Sequence, residues 1–268
     1  MEKLYLWEQG QTPLFNPDIQ GQDEPSLSAY PVPWAAEEAR PAVVVLPGGA
    51  YVEKVAHEKL PIARTMHEMG FHAFILDYRV APYRWPSPLL DCQRAIRYLR
   101  CHAAELHVRP DKIAVIGFSA GGHLCGMSGT VWDEGDPNAQ DPVERYSCRP
   151  DACVPCYAVL DLPGALGHAG SKENMLSGVD AGKFPYSLCA WENVGPDTPP
   201  CFLFHTAKDN LVPVENSLRM AEAMAKAGAT VELTVFPHGG HGVSMGLTTP
   251  LANAFPSLLQ AFLKDQGF

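Results

Sequence analysis

Ser119 stands in Gly117-Phe118-Ser119-Ala120-Gly121, between the apolar run Lys112-Ile113-Ala114-Val115-Ile116 and the segment Gly122-His123-Leu124-Cys125. A serine hydroxyl is a poor nucleophile at neutral pH. It becomes reactive when a base, usually a histidine oriented by a carboxylate, takes its proton. Strand, sharp turn and helix is the setting that exposes such a serine, because small flanking residues permit a strained turn that lifts Oγ above the sheet edge. The string alone is a weak signal, since a chain of this length shows G-x-S-x-G by accident roughly one time in ten. A second copy, Gly242-Val243-Ser244-Met245-Gly246, is present, so context must choose between the two serines.

The partners make that choice. When the groups come in the order serine, carboxylate, histidine, each at the C-terminal end of a strand, Ser119 leaves room for both downstream. No histidine follows Ser244, and a loop rather than a strand precedes it. Downstream of Ser119 lie His123, His168, His205, His238 and His241. His123 falls on the helix behind the serine and reads as buried structure; His205 lies within a strand. The loop Pro237-His238-Gly239-Gly240-His241-Gly242 offers His241, flanked by glycines that allow close approach, as the expected base. His238 reads as a residue that shapes the turn. For the acid, Phe202-Leu203-Phe204-His205 reads as a strand and Asp209 falls just beyond it, with Glu215 and Asp161 in reserve. The structural alternative for Asp209 is a turn or capping aspartate near Asn210 and Pro213. Glu215 falls in the first turn of a helix, where negative charge is favourable without any chemistry. An acyl-transfer site also needs N–H donors aimed at the developing oxyanion. The Ala120 amide is one, and the small residues of Pro47-Gly48-Gly49-Ala50-Tyr51 suit the rest. Neither G-x-G-x-x-G nor the P-loop string occurs, which argues against a phosphate cradle.

Alternation of apolar, β-branched runs with helical patterns implies βαβ units, a mostly parallel sheet and helices on both faces. Strands are expected at 41–46, 71–80, 113–118, 152–162, 201–206 and 230–236, with helices at 57–69, 89–106, 120–131, 213–227 and 250–264. The proline- and glutamate-rich first forty residues are expected to hold an antiparallel edge strand or hairpin. The stretch 133–151 reads as a long acidic loop, and 163–200, Gly-rich with Tyr186 and Trp191, as a lid-like insertion in a single domain.

The chain has 268 residues, 46% apolar and 19% charged, which suits one globular α/β domain with a full core. A formal charge of −10 argues against nucleic acid or an anionic membrane as partner and favours a neutral or weakly charged small molecule. No secretory pattern opens the chain and no run is long enough to span a bilayer. Eight cysteines then read as reduced thiols of a cytoplasmic protein. Cys153 and Cys156 form a C-x-x-C, but residues three apart on a strand point to opposite faces, so both are read as core rather than as a metal or redox pair.

With these parts in place, the chain resembles α/β-hydrolase esterases, in particular the bacterial acetyl esterase/lipase group and carbohydrate esterases of the acetylxylan esterase kind. The matching strings are Pro47-Gly48-Gly49-Ala50-Tyr51, Asp77-Tyr78-Arg79-Val80-Ala81-Pro82, Gly117-Phe118-Ser119-Ala120-Gly121-Gly122-His123-Leu124, Thr198-Pro199-Pro200, Asp209-Asn210-Leu211-Val212-Pro213 and Gly240-His241-Gly242, spread over most of residues 41–245. The resemblance implies an α/β-hydrolase fold, the triad Ser119, Asp209 and His241, and oxyanion roles for Gly49, Ala50 and Ala120. Lipase-like relatives carry His before the glycines and a third Gly after them. Pro47 and Ala50 stand there instead, which shifts the weight toward carbohydrate esterases and leaves open which loop amide points inward. The implied reaction is hydrolysis of a short-chain ester without metal or cofactor, with an acetylated xylo-oligosaccharide as the expected substrate. Tyr51, Trp132, Tyr186 and Trp191 are candidate walls for a sugar. The rival readings are a general carboxylesterase or feruloyl esterase, a peptidase of the prolyl-oligopeptidase type, and a non-catalytic protein of the same fold.

Overall fold

The computed structural model describes residues 3–30 and 38–268. Among the described residues, eight strands form one sheet in the order β1-β2-β4-β3-β5-β6-β7-β8. They are β1 Lys3–Tyr5, β2 Ser26–Tyr30, β3 Arg40–Leu46, β4 His72–Asp77, β5 Val108–Phe118, β6 Ala152–Cys156, β7 Cys201–Thr206 and β8 Val231–Phe236. β1 and β2 pair antiparallel, and β2 joins β4 antiparallel. Every pairing from β4 to β8 is parallel. The expected edge hairpin is therefore present as β1–β2, and the part of the N-terminal stretch at 31–37 lies outside the described residues.

Strand alternation sorts the apolar side chains into two layers. Val44, Leu46 and Val115 join one core with Leu99 of α2 (Ser87–Cys101), Leu124 of α3 (Ala120–Thr130) and Met220 of α5 (Glu215–Ala227). Val43, Val45, Ile116 and Phe118 join the other with Ile62 of α1 (Leu60–Glu68) and Phe262 of α6 (Phe255–Asp265). Helices thus cover both faces, which buries the parallel strands on both sides. α5 ends where Gly228 adopts a left-handed φ of 73°, a favoured helix stop.

Some element boundaries differ from expectation. β6 stops at Cys156 rather than running to Leu162, because Tyr157 turns the chain out of the sheet with φ of 36°. Residues Tyr157–Leu160 are nonetheless fully buried, so the apolar run there signals burial and not a strand. The acidic stretch 133–151 is not a free loop either. α2 turns a row of arginines toward it: Arg94 pairs with Asp141 and Glu144, Arg97 with Asp133, and Arg100 with Asp151. Residues 163–200 hold α4 (Ala169–Leu176) and two short 3₁₀ turns. Asn174 of α4 donates to the Ala50 carbonyl at 2.9 Å, so this segment lies against the loop after β3. Cys153 and Cys156 fall in opposite cores, as a strand requires. No helix among the described residues is long and apolar enough to cross a membrane.

Candidate active site

β5 delivers Ser119 to the C-terminal edge of the sheet, and α3 starts at the next residue. Ser119 has φ of 53° and ψ of −115°, a conformation that costs an L-residue energy and survives only when its surroundings enforce it. The enforcement is close packing of glycines. A Cβ on Gly117 would meet the Gly121 carbonyl oxygen at 2.1 Å, and one on Gly121 would meet the Leu46 carbonyl oxygen at 2.2 Å. The elbow can press against β3 only with glycine at these positions.

The loops after β7 and β8 bring Asp209 and His241 to this edge. Ser119 Oγ lies 2.8 Å from His241 Nε2, and His241 Nδ1 lies 2.7 Å from Asp209 Oδ2. The amides of Leu211 and Val212 donate to Asp209 Oδ1 at 3.0 and 2.9 Å. His205, fully buried at the end of β7, sets its Nε2 at 3.0 Å from the Val212 carbonyl and 3.4 Å from Asp209 Oδ2. Burial alone pushes the Asp209 carboxyl up, yet the hydrogen bonds from His205, His241 and the Val212 amide outweigh it and hold it well below the usual carboxylate range. Asp209 is therefore an ionised acceptor that fixes the His241 ring with Nδ1 protonated and Nε2 free to accept from Ser119. The loop carrying His241 is anchored by Thr206, whose hydroxyl lies 3.1 Å from the carbonyls of Gly239 and Gly240. The sequence places His205 and Thr206 on the strand that leads to Asp209, as expected, but gives neither a part in the site.

The loop after β3 forms the opposite wall. Ala50 and Tyr51 both take left-handed φ values, 52° and 59°. Such a loop needs external ties. Tyr78 donates its hydroxyl proton to the Pro47 carbonyl, and the Ala81 amide donates to the Tyr51 carbonyl at 2.7 Å. The Gly48 amide is committed to the buried carboxylate of Glu58 at 2.7 Å, so it does not face the cleft. The Ala120 amide sits in the first turn of α3, where an N–H has no helical acceptor. Gly49, Ala50, Ser119 and His241 line a cleft of about 250 Å³ together with Val52, Glu53, Val55, His57, Glu58, His168, Leu211 and Gly242.

The four aromatic candidates lie elsewhere. Tyr51 is fully buried, with its hydroxyl 2.8 Å from His123 Nδ1, so it supports the loop from beneath instead of facing a ligand. Trp132 follows the C-terminus of α3, which carries it the length of that helix away from Ser119, where it stacks under the Arg149 guanidinium. Tyr186 accepts from Trp85 Nε1 at 3.2 Å and stacks on Phe184, while Trp191 packs against the core. None of the four lines the described cleft. His238 is exposed on the loop before His241, and Glu215 opens α5. Asp161 accepts from the Leu166 amide at 3.0 Å and shapes a turn. Ser244 bonds the His57 carbonyl at 3.3 Å and takes no part in the Ser119 line.

An eight-stranded, mostly parallel sheet with a serine elbow after its central strand, an acid after β7 and a histidine after β8 is the α/β-hydrolase fold. The chain belongs to the BD-FAE family, which it matches over residues 30–224. Among solved structures, it is similar to the acetyl ester-xyloside bifunctional hydrolase of Caldicellulosiruptor lactoaceticus, at 40% identity with a TM-score of 0.92, covering 100% of this chain and 97% of that one. Endo-1,4-beta-xylanase B of Butyrivibrio fibrisolvens is 32% identical over 77% of this chain and 33% of its own length. The acetylxylan esterase of Xylanibacter ruminicola is 28% identical over 76% of this chain and 41% of its own. The chain thus spans less than half the length of these two relatives.

Proposed function

We propose that this protein is a serine esterase that removes short acyl groups, acetyl foremost, from xylose-based oligosaccharides and related carbohydrates. The observation that carries this reading is the hydrogen-bonded line Asp209–His241–Ser119, opening on a cleft of about 250 Å³. In the proposed cycle Ser119 Oγ attacks the ester carbonyl as His241 Nε2 takes its proton, and Asp209 stabilises the imidazolium. The carbonyl oxygen, now negative, is received by the Ala120 amide and by amides of the Gly49–Ala50 loop. The C–O bond then breaks and His241 returns its proton to the departing alcohol. Water, deprotonated by His241, attacks the acyl-enzyme and releases the acid and Ser119.

The cleft volume supports an acetyl to butyryl group rather than a long chain, and the named relatives support a xylose-containing alcohol. Residues 163–200 act as a lid-like wall of the single domain, a role supported by the Asn174 bond to Ala50 and by His168 at the cleft. A reducing, cytoplasmic setting is supported by eight cysteines that are all free thiols.

Labelling with a fluorophosphonate tests the reading. Label is expected on the wild type and on Ser244→Ala and absent from Ser119→Ala; label on Ser119→Ala sinks the assignment. A panel of acetyl, butyryl, octanoyl and feruloyl esters with acetylated xylo-oligosaccharides should favour acetyl. A clear preference for butyryl or longer esters would instead mark a general carboxylesterase. The similar bifunctional hydrolase, with Glu53 and Glu58 at this cleft, favours adding an aryl xyloside to the panel. Xyloside cleavage that survives Ser119→Ala would reveal a second chemistry.

A further inference from the structure

Glu58 is a carboxylate the proposed cycle does not use, and its burial needs a reason. Its side chain is 3% exposed, although it borders the same cleft as Ser119. A buried carboxylate is costly unless its oxygens are hydrogen-bonded. Both are. Oε2 accepts from the Gly48 amide at 2.7 Å, and Oε1 accepts from the Tyr157 hydroxyl at 2.6 Å. Tyr157 in turn accepts from the Ser244 amide at 3.0 Å, and its ring meets the His241 ring edge-on at 5.2 Å. His57 Nε2 lies 3.6 Å from Oε1 on the solvent side.

Glu58 therefore ties the loop after β3 to the chain leaving β6 directly, and through Tyr157 the tie extends to the loop carrying His241. The approach is tight, since a Cβ on Gly48 would come within 2.7 Å of Glu58 Oε2 and 3.0 Å of the Ser119 Cβ. Glu58 fixes the plane of the Pro47–Gly48 peptide, and the close packing around Gly48 and Gly49, where an added Cβ would come within 2.7 and 2.3 Å of its neighbours, restricts how the Gly49 and Ala50 amides follow from it. We propose that Glu58 is a positioning residue for catalysis, holding the oxyanion loop through Gly48 and the His241 loop through Tyr157. This inference rests on the esterase reading. It predicts that Glu58 acts on the tetrahedral state, where the loop amides take up charge, far more than on substrate binding.

Kinetics on p-nitrophenyl acetate and affinity for a trifluoromethyl ketone, which forms a tetrahedral adduct on serine, test the inference. Glu58→Ala is expected to lower kcat by about 100-fold, the scale of losing one oxyanion donor, with KM within about threefold and ketone affinity falling in parallel with kcat. Glu58→Gln keeps an acceptor for the Gly48 amide and should recover at least about tenfold of that loss. Tyr157→Phe, which keeps the ring, should lose about tenfold in kcat alone. Glu58→Ala within twofold of wild type overturns the proposal, as does Glu58→Gln no better than Glu58→Ala. If Glu58→Ala does not fold, Glu58→Gln and Tyr157→Phe decide, and wild-type kcat in both overturns it. Ser119→Ala runs alongside: activity there would defeat the esterase reading itself, whatever the Glu58 variants show.

Discussion

Asp209 owes its charge to its neighbours. Fully buried, it would favour the neutral acid, but two histidines and two loop amides supply enough donors to reverse that preference. Its folded-state pKa is therefore depressed below the unfolded value of about 3.9. The contribution to stability is fully present above that value and is lost as the pH falls below it. Two outcomes follow for Asp209→Asn. The amide can no longer hold His241 as the required tautomer, so kcat should fall by about 10⁴-fold near neutral pH, the scale of the same change in other triads. The stability gap between wild type and variant, measured by urea unfolding, should narrow as pH drops from neutral toward 3. A gap that stays constant over that range would show that Asp209 carries no such linkage. At this scale the sequence named Ser119, Asp209 and His241 and the three side chains meet, whereas Glu58 and Tyr157 escaped notice and His205 reads only as a strand residue. Their residue types carry no motif; only their contacts across the fold give them a part in the site.

His123 joins α3 to two other parts of the molecule. Its Nδ1 lies 2.8 Å from the Tyr51 hydroxyl and its Nε2 is 3.0 Å from the Leu188 carbonyl. The elbow helix, the loop after β3 and the segment 163–200 thus share one imidazole. Burial lowers its pKa from the ordinary 6.5 to about 4, against a smaller upward pull from the Leu188 carbonyl. The unfolded chain then takes up a proton before the folded one does. Stability supplied by the neutral ring is intact above pH 6.5 and declines as the pH falls toward 4, by about 3 kcal/mol in all at 1.36 kcal/mol per unit. Unfolding measured between pH 7 and 4 should show this decline in the wild type and a flatter profile in His123→Gln. Equal slopes would remove His123 from the account. The strand and helix pattern was readable because apolar periodicity is local. The early end of β6 was not, because a fully buried irregular segment is as apolar as a strand.

Seven of the eight cysteines are buried within the assembled sheet and helices, and Cys101 alone is half-buried. A thiol reagent such as DTNB should therefore titrate about one group in the native protein and all eight in denaturant. Two or more fast native thiols would mean that the packing around the sheet is looser than described. Cys153 and Cys156, suggestive as a pair in the sequence, are separated by the sheet itself. By itself the sequence determined the α/β alternation, the preference for Ser119 over Ser244 and the chain order of acid and base, because periodicity and order are properties of a line. Tertiary structure alone decided what surrounds them. It sent Tyr51 beneath its loop and carried Trp132 to the far end of α3. It also drew Glu58 against Tyr157, 99 residues away, where one buried carboxylate spans two loops. Side-chain direction and burial are set by packing between distant segments, and no spacing along the chain encodes them.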